Sequence, residues 1–195
     1  MPTITRDSIM PLEVYAKARQ EFRAQVMSHK KGRKASLGKN VTLIFEDELT
    51  IRYQIQEMLR AEKIFEEEGI IDEIEAYRAL IPDGSNWKAT MMIEYPDPVI
   101  RADKLTKLVD IENNVWVKIE SYDPVFAIAD EDLNRATEEK TSAVHFLRFE
   151  LSQDMIKALH KDASLSMGID HPAYQAQIEQ VDKLLRNSLI NDLDK

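Results

Sequence analysis

Cysteine is absent from the 195-residue sequence. That excludes disulfides, thiolate metal sites, cysteine nucleophiles and cysteine-ligated iron–sulfur clusters. Glycine is scarce, at five residues, and none of them builds a GxGxxG, a GxxxxGK[ST] or a GxSxG pattern. The usual dinucleotide fold, the P-loop and the nucleophile elbow are therefore unsupported. No HExxH and no Glu-x-x-His occurs, so neither the zincin nor the di-iron bundle spacing is available. Apolar runs stay well short of the roughly 18 residues that a membrane helix needs. The opening "MPTITRDSIMPLEVY" has no basic stretch followed by an apolar one, so the expected address is the cytoplasm.

Positive charge is also in short supply. Lysine and arginine number 26 against 35 acids, a net charge of -9, which argues against general binding to nucleic acid. One basic run stands out, "HKKGRKASLGK" over residues 29–39, with Lys30, Lys31, Arg33, Lys34 and Lys39. It reads as a solvated helix end and loop or as an anion-binding loop built from Lys30, Lys31, Arg33 and Lys34. Aromatic residues are not interleaved with these cations, as RNA stacking would require.

Periodicity organises the rest. Leu12, Tyr15, Ala18, Phe22 and Val26 recur at helical spacing after Pro11, and Arg19 falls inside that stripe. "VTLIF" reads as a short β-branched strand. "EDELT" then leads into a long helix reaching Gly69, with Thr50 a candidate N-cap. A short helix through "DEIEAYRAL" precedes the turn "IPDGSN". "WKATMMIEYPD", "VWVKIESY" and "TSAVHFLRFEL" read as strands. Ser152 is placed to cap "QDMIKALHKDA", and the tail from His171 shows Tyr174, Ile178, Val181, Leu185 and Leu189 at helical spacing. The expected class is α+β: a mostly antiparallel sheet packed against a long helix, in one domain of residues 1–195, with N-terminal helices and residues 152–195 a helical C-terminal extension.

Two polar residues fall in oily places. On the long helix Ile51, Ile55, Met58, Leu59 and Phe65 share one apolar arc, with Glu62 near its middle and Glu66 beside it. On its strand His145 shares a face with Ala143, Leu147 and Phe149. A carboxylate so placed must find a partner, bind something or stay protonated. One reading is a buried polar network of Arg19, Glu62 and His145. The other is a divalent transition-metal or acid–base site with Glu62, Glu66 and His145 as ligands. Glu57 and Arg60 lie on the opposite arc as an i,i+3 surface pair. His160 reads as solvent-exposed, and His171, before Pro172, as a cap for the last helix.

The stretches "HKKGRKASLG", "VTLIFEDELTIRYQIQEMLRAEKIF", "LIPDG", "ATMMIEYPD", "SAVHFLRFEL" and "GIDHPAY" together resemble the bacterial DUF3501 family, a domain of unknown function. The resemblance runs through nearly the whole chain. It brings no catalytic residue, and it marks Gln54, Glu57, Arg60 and Glu62 as part of the shared pattern. It also implies proximity to rubrerythrin-like and iron–sulfur oxidoreductase genes, hence redox or oxidative-stress physiology. The expectation is a non-enzymatic accessory or interaction protein, homo-oligomeric, with a redox protein partner. The alternative is a small carboxylate–histidine metalloprotein or metalloenzyme acting on an anionic substrate.

Overall fold

The computed structural model describes residues 4–129 and 140–195. The chain is α+β. Strands β1 (Lys34–Leu37), β2 (Val41–Glu46), β3 (Asn86–Ile93) and β6 (Val144–Glu150) form one antiparallel sheet in the order β1-β2-β3-β6. Strands β4 (Val115–Ile119), β5 (Val125–Phe126), β7 (Leu165–His171) and β8 (Tyr174–Ile178) form a second, in the order β5-β4-β7-β8.

The two sheets meet at both edges. Ile128 and Arg148 exchange backbone hydrogen bonds of 2.8 Å beside β5 and β6. At the other edge the Tyr174 hydroxyl of β8 donates to the Leu37 carbonyl of β1 at 2.6 Å. Alternation decides what lies between them. Leu43, Phe45, Trp87, Met91, Leu147 and Phe149 of the first sheet and Val115, Val117, Met167 and Ile169 of the second make one apolar core. Helices α5 (Gln153–His160) and α6 (Lys183–Ile190) add Ile156, Leu159, Leu185 and Leu189 to it, and the Trp87 indole N–H donates to the Leu189 carbonyl at 2.9 Å. Helix α4 (Pro98–Lys107) contributes Leu105.

Three further helices stack outside. Helix α1 (Leu12–Lys31) buries Tyr15, Phe22 and Val26 against Tyr53 of α2 (Glu48–Glu62) through edge-on ring contacts. The opposite flank of α2 packs Ile51, Ile55 and Leu59 against Ile70 and Ile74 of α3 (Glu67–Arg78), with Phe146 from the outer face of β6. The N-cap of α2 is Asp47, and Thr50 is the third residue of its capping box: the Thr50 N–H donates to Asp47 at 3.0 Å and the Asp47 N–H to the Thr50 hydroxyl at 2.9 Å.

Three expectations need correction. The long helix does not reach Gly69; α2 stops at Glu62, where Lys63 turns left-handed with φ 56°. A new helix then starts at Glu67, with Gly69 inside it. Nor is 152–195 a helical extension, because β7 and β8 sit between α5 and α6 and form half of the second sheet. Tyr174 and Ile178 have helical spacing, but Tyr174, Ala176 and Ile178 also alternate with exposed Gln175, Gln177 and Glu179, and pairing with β7 selects the period of two. The β7–β8 turn is Pro172-Ala173, and His171 serves it rather than a helix, accepting from the Ala173 N–H at 3.1 Å while its other ring nitrogen donates to the Val109 carbonyl at 3.0 Å.

Candidate functional site

Ending α2 at Glu62 relocates the residues that the sequence singled out. Glu62 and Glu66 are exposed at the joint between α2 and α3, whereas His145 is fully buried on the inner face of β6. The trio does not assemble. Among the described residues no group of three or more His, Asp or Glu side chains is placed to hold a metal. Arg19 does not reach Glu62 either. Its guanidinium makes two bonds of 2.7 Å to Glu57, which also accepts from the Tyr15 hydroxyl at 2.5 Å. The Arg19 hydrogen bond, with Tyr15 adding to it against burial, holds the Glu57 carboxyl below its ordinary range. Glu57 thus ties α2 to α1 rather than pairing with Arg60. His145 lies within 2.9 Å of the Thr141 hydroxyl and 3.0 Å of the Ser142 carbonyl, and its ring is 3.8 Å from buried Glu112. His160, on an exposed helix end, is 2.9 Å from the Asp194 carbonyl.

The basic run does not act as a unit. Lys31 and Lys34 are exposed, Lys30 lies 3.9 Å from buried Glu46, and Arg33 is only 2% exposed. Arg33 donates to the carbonyls of Phe45 and Glu46 at 2.9 and 3.1 Å, to the Ser188 hydroxyl at 2.9 Å and to Asp192 at 2.5 Å. Asp47 lies 3.4 Å away and is also 2.5 Å from His29. A guanidinium so fully engaged is a pin joining α1, β2 and α6, with no donor left for a ligand. Beside it a cavity of about 220 Å³ is lined by Asp47, Glu48, Leu49, Ile81, Pro82, Asn191 and Asp192. The two carboxyls that share Arg33 differ. Burial pushes Asp192 up to about 6, over the opposing pull of Arg33. Burial also acts on Asp47, but there Arg33, the Thr50 N–H and His29 prevail and hold it below its usual value.

The second feature is apolar. Where α2 breaks, Ile64 turns inward and Phe65 outward, 71% exposed. Phe65 stands on a groove of about 250 Å³ whose walls include Met10, Leu12, Leu59, Ile64 and Ile70, with Arg6 and Glu13 at its polar margin. Glu66, Glu67 and Glu68 follow Phe65 directly and Glu62 precedes it, all four exposed. Glu67 is paired with Arg6 at 2.9 Å. Among the described residues Glu62, Glu66 and Glu68 form no ion pair. Close packing shapes the joint, since a Cβ on Gly69 would lie 2.8 Å from Ile64.

The model of DUF3501, a protein family of unknown function, matches residues 3–193. The chain belongs to the DUF3501 family. A crystal structure of a protein of unknown function from Burkholderia pseudomallei K96243 matches this DUF3501 chain with a TM-score of 0.93 and 53% identity, covering 99% of this chain and 100% of that one. No curated protein matches the sequence.

Gln54, Glu57, Arg60 and Glu62, which the sequence resemblance singled out, divide by role. Gln54 donates to buried Glu46 at 3.1 Å and Glu57 holds α1, so these two keep the fold together. Arg60 and Glu62 are exposed near the C-terminal end of α2. Sequence reading missed Phe65 as a surface residue because it extended the α2 stripe past its end. The signal was the run of glutamates that follows it, which suits the first turn of a new helix better than the last turn of an old one. Among the described residues no helix is long and apolar enough to cross a membrane.

Proposed function

We propose that this DUF3501 protein is a non-enzymatic accessory protein that docks a partner through the groove beside Phe65. A phenylalanine 71% exposed at the lip of an apolar groove is the observation that carries this reading. Burying it in a partner would contribute roughly 1.5–3 kcal/mol. The carboxylates of Glu62, Glu66 and Glu68, without an ion pair among the described residues, favour a partner segment with cations flanking an apolar stripe. A second copy of this chain is a poorer occupant, because two surfaces of net charge -9 repel. The neighbourhood that the family resemblance implies makes a redox protein the first partner class to test.

The experiment compares immobilised wild-type protein with Phe65→Ser. The variant keeps its unfolding midpoint, since the side chain it loses is mostly in solvent, and it retains the partner roughly tenfold less well or worse. Equal retention of the same proteins by both would remove the groove as the docking site. A wild-type oligomer that Phe65→Ser dissolves would show that copies of this chain occupy it instead.

A further inference from the structure

A larger cavity, of about 740 Å³, opens at the end of the first sheet. Its walls come from the β1–β2 turn, the β3–α4 loop, the start of β6 and the first turns of α4. The turn exists because Gly38 adopts φ +73°. Asn40 then bonds back to both sides: its N–H to the Tyr174 hydroxyl at 3.1 Å and its amide to the Glu94 carbonyl at 2.8 Å. Lys39 and Arg101 line the cavity from separate elements, with Tyr95, Met92, Pro96 and Val144 supplying its apolar wall.

Two cations line this cavity in a protein with 35 acids and 26 bases. Among the described residues Lys39 and Arg101 form no ion pair, and Arg101 donates only to the Tyr95 carbonyl, at 3.3 Å. Glu94 is the carboxylate in the lining, and its Oε2 is turned to the Thr42 hydroxyl at 2.9 Å. The Tyr95 phenol, raised by burial, stays neutral and able to donate. Lys39 and Arg101, neither of them ion-paired among the described residues, thus line a partly apolar cavity whose size falls within the usual range of small-molecule sites. From this placement of Lys39 and Arg101 across an amphipathic cavity, we infer a binding site for a small organic anion: a carboxylate or phosphate head on a short apolar body. The site is remote in sequence from the groove at Phe65 and independent of the docking reading.

Calorimetric titration with octanoate and with octyl phosphate tests it, with octanamide as the neutral control. Wild-type protein binds at least one of the two anions and binds octanamide at least tenfold more weakly. Lys39→Glu and Arg101→Ala each weaken the anion by about tenfold, and Lys39→Arg restores it. A preference for octyl phosphate over octanoate would assign the head group as phosphate, and the reverse as carboxylate. Lys39→Glu also guards against misfolding, since Lys39 is an exposed turn residue. Absence of binding by wild-type protein, equal binding of octanamide, or indifference to both substitutions would overturn the assignment.

Discussion

Arg33 is where one side chain does most for this fold. It lies inside the junction of α1, β2 and α6, and every contact it makes is to a carbonyl, a hydroxyl or a carboxylate of another element. Arg33→Met would leave Asp47 and Asp192 facing each other without their shared cation, and should cost about 3–5 kcal/mol in urea denaturation. A loss below 1 kcal/mol would mean that the junction is held by packing alone. Asp192 makes the opposite kind of contribution. Its carboxyl is pushed up to about 6 when folded, from 3.8 as a free side chain, so between those values the folded state binds more protons than the unfolded one. The stability it lends is present below about pH 4 and is lost as pH rises through 6. Asp47 and Glu57, both lowered, contribute in the other direction and lose their stabilisation on acidification. Asp192→Asn should therefore gain on wild type by about 2 kcal/mol between pH 4 and pH 7. A stability difference that does not change with pH would contradict the assignment.

At the scale of elements, turns and register carry what the apolar pattern leaves open. Gly38 sits at φ +73°, and a Cβ there would lie 2.6 Å from the Tyr174 hydroxyl that ties β8 to β1. Gly38→Ala should destabilise by about 2 kcal/mol, from backbone strain and from the displaced phenol, and should speed amide exchange along β1 and β8. Unchanged thermal unfolding would show that the turn relaxes freely. The strands around Val117 and Leu147 were legible from alternation, that around Leu43 from its β-branched run, and α1 from its stripe of Tyr15, Phe22 and Val26. The hairpin of β7 and β8 was not, because Tyr174 and Ile178 satisfy both a helical and an extended period, and only pairing with a strand far away in sequence chooses between them. The end of α2 was equally hidden. Glu62 belonged to an apolar stripe only if the helix continued, and Lys63 ends it by a backbone conformation that a lysine does not announce. The buried histidine at position 145 was read correctly from strand parity; its partners Glu112 and Thr141 were out of reach, because they come from segments whose placement depends on the second sheet and its connections.

For the whole molecule, charge and an exposed aromatic ring coincide at the α2–α3 joint. The net charge is -9, Glu62, Glu66 and Glu68 at the α2–α3 joint have no ion pair among the described residues, and Phe65 beside them is 71% exposed. Long-range attraction would bring a cationic segment to this joint, and burial of Phe65 would hold it, so binding should weaken with salt but not vanish. The decisive measurement is a fluorescence-anisotropy titration of a short helical peptide with leucines on one face and lysines flanking them, run on wild-type protein and on Phe65→Ser. The docking account predicts saturable binding by wild type, a loss of about tenfold or more in Phe65→Ser, and no binding of the matching glutamate/leucine peptide. Equal affinity of the two proteins for the lysine/leucine peptide would contradict it.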